Sequence, residues 1–217
     1  MLRTGLIALA LLPAPALAHP HIFIDSSLEF RFDDQGRLTA VAVSWVYDEM
    51  YTLLLIEDQN LDPDGDGELT DEELAKLAAQ DRDWDPRYEG DIYGLLDGEK
   101  IALAPPEDFG LTYADGKITS THVRPLAEPV DPRGHTLIFR NYDPWFYADF
   151  ELTGGVKITG APEAEGCGAT ILSVDLDAAQ REVQRQLAAV PADQLETQWP
   201  MVGEQFAAPV AIRCGGG

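Results

Sequence analysis

The chain has 217 residues, and 45% of them are hydrophobic, which is enough apolar material for a folded core. Its 38 acidic residues outnumber its 15 basic ones and give a formal net charge of −23. This charge excludes general nucleic-acid binding, because phosphate backbones are held by cationic side chains, and it disfavours anionic lipid surfaces. Cations and basic proteins are the partners that so acidic a surface favours.

The first eighteen residues have the three-part pattern of a secretory signal. Arg3 supplies a positive charge, residues 5–12 form an apolar run, and Ala16-Leu17-Ala18 is a small-residue cleavage site. We expect residues 1–18 to be removed and residues 19–217 to remain as a single β-rich domain. The apolar run is shorter than a membrane span, and no later segment has eighteen apolar residues in a row, so we expect a periplasmic protein with no membrane insertion after cleavage. The alternative is an uncleaved N-terminal anchor.

The two cysteines, Cys167 and Cys214, predict one disulfide, since an exported chain meets an oxidising compartment. Closing the loop between them should stabilise the fold by about 3–4 kcal/mol. The alternative, two thiolate metal ligands, requires reduced cysteines.

The first half of the predicted elements begins with a hairpin. Alternating apolar and polar residues predict strands at 21–32 and 38–47, joined by a turn at Asp33–Gly36. The alternation stops at Asp48, and the spacing of apolar residues then predicts helices at 50–60 and 71–79. A polar, proline-broken loop follows from residue 81 to residue 91.

Strand patterns resume after this loop, with Asp97-Gly98 and Asp115-Gly116 as hairpin turns. The predicted strands are residues 92–96, 100–103, 109–113, 117–124, 136–142, 147–152, 156–159, 169–176 and 208–213. A C-terminal helix is predicted at 176–190, with one apolar stripe made of Leu176, Ala179, Val183 and Leu187. The expected fold is mostly β (α+β): an antiparallel β-sandwich-like body with an EF-hand-like helix-loop-helix insertion at about 48–90 and a C-terminal helix.

Residues 62–73 match the twelve-residue calcium loop of an EF-hand. A hard cation takes about six to eight oxygen ligands, and Gly67 permits the sharp turn that brings them together. The oxygen ligands expected are those of Asp62, Asp64, Asp66, the Glu68 carbonyl, Thr70 and Glu73. The residues expected to pack the loop and its flanking helices are Leu53, Ile56, Leu69, Leu74 and Leu77.

The alternative is an acidic, solvated loop between two helices. A single extracellular loop of this kind binds calcium at roughly 10⁻⁴–10⁻³ M, which favours a permanently occupied structural ion over a sensor.

The histidines form a second candidate metal site. Signal cleavage would place His19 at the N-terminus, where its α-amine and imidazole can chelate one cation. The amino-terminal copper motif, which needs a backbone amide at the second residue, is excluded because Pro20 has no N–H. His21, His122 and His135 are further candidate ligands for Zn²⁺, Ni²⁺ or Cu²⁺. The alternative is that His19 and His21 only begin an edge strand and that the other two are surface residues.

Two further segments allow two interpretations. Asp48 and Glu49 either supply a carboxylate ligand or form the acidic first turn of a helix. The aromatic run at residues 142–147 either lines a groove or fills the core. Sequence signatures of a serine nucleophile, a phosphate loop, a dinucleotide fold and a zinc protease are absent, so we expect no enzyme.

Five segments of the chain carry a resemblance to a known family: HPHIFI at 19–24, WVYDEM at 45–50, the loop at 62–73, LAEP at 126–129 and YDP at 142–144. Together they resemble a family of bacterial periplasmic proteins that form a domain of unknown function. Members of this family are labelled the periplasmic component of an uncharacterised ABC-type transport system. The resemblance implies handling of nickel, cobalt or zinc and an inner-membrane metal transporter as partner.

The function expected from the sequence is therefore a periplasmic metal-ion-binding accessory protein of a transition-metal transport system, with a structural Ca²⁺ site. The alternatives are a calcium-dependent interaction module without transition metal, or a copper oxidase using the N-terminal histidine chelate.

Overall fold

Two five-stranded β-sheets form the body of the protein in the computed structural model, which describes residues 20–81, 84–85, 88–160, 166–191, 194 and 198–215. The first sheet has strand order β5-β6-β2-β1-β8 and the second β4-β3-β7-β10-β9. The strands are β1 (Ile22–Phe32), β2 (Leu38–Tyr47), β3 (Ile92–Leu96), β4 (Glu99–Ile101), β5 (Glu107–Ala114), β6 (Lys117–Val130), β7 (Leu137–Asn141), β8 (Ala148–Thr159), β9 (Gly168–Ile171) and β10 (Val210–Arg213). The helices are α1 (Glu49–Asp58), α2 (Asp71–Asp81) and α3 (Leu176–Ala188).

The β1–β2 hairpin follows the alternation of its sequence. Leu28 and Phe30 on β1 are buried, as are their antiparallel partners Val43 and Val41 on β2, while the residues between them on β1 are less buried. One face of the hairpin therefore belongs to the core, and the prediction of two strands is confirmed.

The two Asp-Gly pairs form the tight turns that the sequence predicts. Asp97 and Gly98 have φ angles of 50° and 89°, and Asp115 and Gly116 have 52° and 74°. Left-handed backbone at both central residues matches the twist of the flanking strands, which is why this dipeptide joins β3 to β4 and β5 to β6.

Strand β8 differs from its prediction in two ways. It is one strand where the sequence suggests two, and it pairs with β1 in parallel. The other strand pairs in the described part of the chain are antiparallel. The register shifts between Asp25 and Ser27, opposite the glycine pair at 154–155. A Cβ on Gly154 would lie 2.7 Å from the Cβ of Ser27, so this glycine permits the close approach of the strands.

The main core lies between the two sheets. Phe30 of the first sheet and Phe139 of the second are fully buried, and their ring centroids are 5.1 Å apart. Asn141 is a buried polar link across the same space: its Oδ1 accepts hydrogen bonds from the Ser26 hydroxyl (2.6 Å) and the Trp45 indole (3.1 Å). The sandwich-like architecture expected from the sequence is confirmed.

The helical insertion packs on the outer end of the first sheet. A second, smaller cluster joins Leu61 and Leu77 of the insertion to Ile118 of β6, with Leu69 partly buried against it. On α1, Thr52 is buried and its hydroxyl accepts a hydrogen bond from the Ile118 amide (3.2 Å). The expected burial of Leu53 is wrong: this side chain is 64% exposed, because α1 turns its Thr52 side towards the sheet.

The C-terminal part closes the second sheet. Helix α3 buries Ala179 and Val183 of its predicted stripe, but Leu176, at its first turn, is 61% exposed. The predicted disulfide between Cys167 and Cys214 is present and connects the start of β9 to the end of β10. Among the described residues, no helix has the length and apolar character needed to span a membrane.

Candidate metal centre

The acidic loop (residues 62–73) brings three of its predicted ligands together. Carboxylate oxygens of Asp62, Asp64 and Asp66 lie within 4.8 Å of one another, the one such convergence of three or more His, Cys, Asp or Glu side chains among the described residues. These are positions 1, 3 and 5 of the predicted loop, and their oxygens suit a hard cation such as Ca²⁺.

Local hydrogen bonds explain why the loop adopts this shape. Asp62 accepts backbone hydrogen bonds from Gly65 (2.8 Å) and Asp66 (3.2 Å) at one oxygen and from Gly67 (3.0 Å) at the other. Gly67 has a φ of 80°, the left-handed conformation that position 6 requires. The backbone is thus wound around the first aspartate.

The carboxylates of the loop repel one another. The hydrogen bond from the Gly67 amide lowers the pKa of Asp62, whereas the hydrogen bond shared with Asp62 and the charge of Asp66 raise the pKa of Asp64. A bound dication would relieve this repulsion, so the charges fit the proposed ion.

Glu73, predicted as the bidentate ligand, lies at the first turn of α2. Its Oε2 accepts hydrogen bonds from the Thr70 amide and hydroxyl (both 2.8 Å), and the Glu73 amide donates to the Thr70 hydroxyl (3.3 Å). This reciprocal capping box lowers the pKa of Glu73, chiefly through the Thr70 amide. Glu73 is not part of the three-aspartate group. The Glu68 amide donates to Asp66 (2.8 Å), which holds position 7 beside that group.

The candidate histidine ligands lie in separate surroundings. His19 lies outside the described residues, as does the predicted signal at 1–18. His21 is exposed just before β1, with its ring centroid 4.8 Å from that of Tyr147. His135 is exposed near β7, with its Nδ1 2.6 Å from Oδ2 of Asp97.

His122 is buried and not at the surface. It is 2% exposed and contacts the rings of Trp45, Trp84 and Phe109 at centroid distances of 4.8–5.7 Å. Burial, together with the nearby Arg124, lowers its pKa to about 3. Its Nε2 is buried and has no hydrogen-bond partner among the residues that the structure describes, and aromatic rings surround the imidazole. His122 therefore packs as a neutral ring and does not join His21 or His135 in a cluster.

Asp48 caps the N-terminus of α1, in agreement with the second of its two interpretations. Its side chain accepts hydrogen bonds from the Tyr51 amide (2.9 Å), at the first turn of α1, and from the Phe23 amide (2.8 Å) on β1. The carboxylate begins the helix and ties the insertion to the sheet.

The aromatic run at 142–147 contributes to a groove. Trp145 is 54% exposed and lines a cleft of about 970 Å³ together with Tyr142. Asp91, Met201 and Glu204 also line it, and sequence reasoning missed all three, because they are distant along the chain and match no motif. The aromatic density at 142–147 was the one signal pointing to it.

Residues 4–214 match the family described as "Protein of unknown function (DUF1007)". The chain belongs to this family. The match spans nearly the whole sequence, so both the acidic loop and the cleft lie within the DUF1007 region. No curated protein gives a significant match to the sequence.

Proposed function

We propose that this DUF1007 protein is a calcium-binding protein in which residues 62–73 hold one Ca²⁺. The observation that carries the proposal is the convergence of Asp62, Asp64 and Asp66 within 4.8 Å. The residues that would hold the ion are these three aspartates, the Glu68 carbonyl, Thr70 and Glu73. The disulfide is typical of oxidising compartments and supports our proposal that the protein is periplasmic. Weak calcium sites of this kind are found in extracellular proteins.

The role proposed for calcium is structural. The ion would neutralise the mutually repelling carboxylates at the loop between α1 and α2. Leu61, directly before the acidic loop, and Leu69, within it, pack in the cluster that joins the insertion to β6. Ordering of the loop by calcium should therefore stabilise the packing of the insertion against the first sheet.

Calcium titration of matched variants tests this proposal. Saturating Ca²⁺ should raise the Tm of the wild type by roughly 2–8 °C, the shift expected for a site of roughly 10⁻⁴–10⁻³ M in a domain of this size. Glu73→Gln should lose most of that shift while keeping the capping box, which glutamine also makes. Glu72→Gln removes the same charge from the neighbouring position and should retain the shift. Equal calcium responses in the two variants would contradict the proposed ligand set.

A second candidate function is transition-metal binding as an accessory to a transport system. Its support is the resemblance in residues 19–24 and the exposed position of His21 directly before β1. In this proposal, His19 at a processed N-terminus and His21 bind Zn²⁺, Ni²⁺ or Cu²⁺ and pass it to an inner-membrane transporter.

Metal affinity of the chain beginning at His19 tests this second function. A control chain with one additional residue before His19 should lose most of the binding, because its α-amine is displaced from the imidazole. Equal metal affinity of the two chains would show that the α-amine of His19 is not a ligand. Peroxide formation by the copper-loaded chain would favour the oxidase alternative instead.

A further inference from the structure

The cleft at the end of the second sheet where β3 begins and β7 ends has no role in the calcium proposal. It is defined by Tyr88, Asp91, Tyr93, Tyr142, Trp145 and Glu204, and we call it the aromatic cleft. Its volume of about 970 Å³ lies in the range of small-molecule sites.

Aromatic rings form the walls of the aromatic cleft. Tyr93 and Tyr142 stack on each other, with ring centroids 4.2 Å apart and an interplanar angle of 26°. Trp145 stands beside them with about half of its surface exposed, and Met201, also lining the cleft, is 68% exposed. Large exposed apolar side chains concentrated in one concave surface are typical of a binding site.

Close backbone packing fixes the wall that carries Met201 and Glu204. The Gly203 amide donates to the Pro144 carbonyl (3.0 Å), and a Cβ on Gly203 would lie 1.8 Å from the Asp143 carbonyl oxygen. Since no side chain fits at this contact, glycine is what allows the 201–204 segment to approach the loop after β7.

The cleft is acidic. Carboxylates of Asp91, Asp143 and Glu204 line it, and no Lys or Arg does so among the described residues. The Arg140 guanidinium lies 3.6 Å from the Glu204 carboxylate. Asp143 accepts hydrogen bonds from three backbone amides within residues 145–148, but it has no basic partner in the described part of the chain. Burial, together with the charge of Glu204, raises the pKa of Tyr142 to about 12.

Asp91 is the buried carboxylate of the aromatic cleft. It is 9% exposed, and its Oδ2 accepts a hydrogen bond from the Tyr88 hydroxyl (2.7 Å). Its Oδ1 receives no hydrogen bond from the residues that the structure describes. The Asp91 carbonyl accepts from the Tyr142 amide and the Asn141 side chain (both 2.9 Å), so the carboxylate is held by rigid backbone.

The arrangement suits an organic cation better than a metal ion. In the described residues, the acidic side chains of this cleft do not bring three ligand oxygens within 4.8 Å, whereas those of the acidic loop do. A compact divalent ion needs such convergence. A larger cation with an apolar surface instead gains from ring faces and from carboxylates spread around it.

We propose that the aromatic cleft binds an organic ammonium ion, with Trp145 and Tyr142 contacting its alkyl groups and Asp91 and Glu204 balancing its charge. The site is separate from residues 62–73, so this proposal does not depend on calcium binding.

Calorimetric titration of the full chain at pH 8 in excess calcium tests this site. The probes are choline, its uncharged isostere 3,3-dimethylbutan-1-ol, 1,5-diaminopentane and a short lysine-containing peptide. We expect choline or the diamine to bind at least about tenfold more tightly than the neutral alcohol. Binding of the peptide in preference to both free amines would identify a lysine side chain as the source of the ammonium group.

Variants locate the binding. Trp145→Ala and Glu204→Gln should each weaken binding about three- to tenfold, while Glu99→Gln, the same charge change on exposed β4, should leave it unchanged. The proposal would be overturned if the alcohol bound as tightly as the tighter of the two amines, or if neither amine bound. It would also be overturned by wild-type affinity in both cleft variants or by displacement of the bound amine by Mn²⁺.

Discussion

The sandwich and the helical insertion of this protein are stabilised by different means. The sandwich encloses a continuous core between its sheets, with Phe30 and Phe139 fully buried, and a disulfide closes one edge. The insertion buries only a small cluster around Leu61, Leu77 and Ile118, and much of the remainder is acidic loop and capping hydrogen bonds. Because apolar burial involves no ion, the stability of the first region should not depend on calcium, whereas that of the second should.

The largest effect should come from the centre of the sandwich. Phe139→Ala removes a fully buried ring that contacts Phe30, and we expect a loss of about 3–5 kcal/mol in the free energy of unfolding. Denaturant titration measures this. Leu54→Ala, at a half-exposed position on α1, is the control and should change stability by less than about 0.5 kcal/mol. Similar losses in both variants would mean that the two regions do not differ as described.

Removal of the disulfide should have the next largest effect. The bond closes a loop of 47 residues, and the double variant Cys167→Ala/Cys214→Ala should lose about 3–4 kcal/mol. We expect the calcium response of the insertion to be unchanged in this variant, because the bond lies in the other sheet. Loss of that response would show that the regions are coupled.

Asp91 lies where the insertion returns to the sandwich, and its contribution to the stability of the fold should depend on pH. Burial is the main cause that raises the pKa of Asp91 to about 7; the hydrogen bond from Tyr88 and the charge of Arg124 oppose this rise, and the charge of Asp143 adds to it. The folded protein therefore binds this proton up to about pH 7, whereas the unfolded chain releases it near pH 4, so ionised Asp91 destabilises the fold most above pH 7.

Replacing this carboxylate tests that sign. Asp91→Asn should be more stable than the wild type by about 1–3 kcal/mol at pH 8, and the difference should narrow steadily as the pH falls towards 4. Unfolding curves at several pH values give the difference in the free energy of unfolding between the two proteins. Both proteins contain the same acidic loop, so its titration does not contribute to this difference. A difference that grows on acidification would contradict the raised pKa.

The smallest effect should be local to the insertion. Removing calcium should speed amide hydrogen exchange in α2 about tenfold, because opening of this region no longer competes with ion binding. Exchange in β2, which pairs on both sides within the first sheet, should not change. Uniform acceleration in both elements would show that calcium acts on global stability.

Features local in the sequence were predictable, and those that depend on distant residues were not. The β1–β2 hairpin, the Asp-Gly turns and the spacing of Asp62, Asp64 and Asp66 all follow from patterns within a dozen residues. The orientation of α1 was not recovered, because its apolar residues do not form one face, and the helix instead buries Thr52.

Contacts between distant segments needed the structure. The parallel pairing of β1 with β8 leaves no signal in either strand, and the burial of His122 depends on rings from three other parts of the chain. The aromatic cleft is likewise assembled from segments near residues 90, 143 and 203. Single polar residues such as Asn141 and Asp91 are indistinguishable in the sequence from many others on the surface.

The position of β1 inside the first sheet constrains how the protein reaches its native state. One neighbour, β2, follows it directly, but the other, β8, ends at residue 159. The strand made first must therefore keep one edge open until most of the chain has been synthesised. Folding should then be slow, on the order of milliseconds to seconds, as for other folds dominated by non-local pairing. A chain that folds this slowly remains unfolded for longer after synthesis, which would suit the export that we propose.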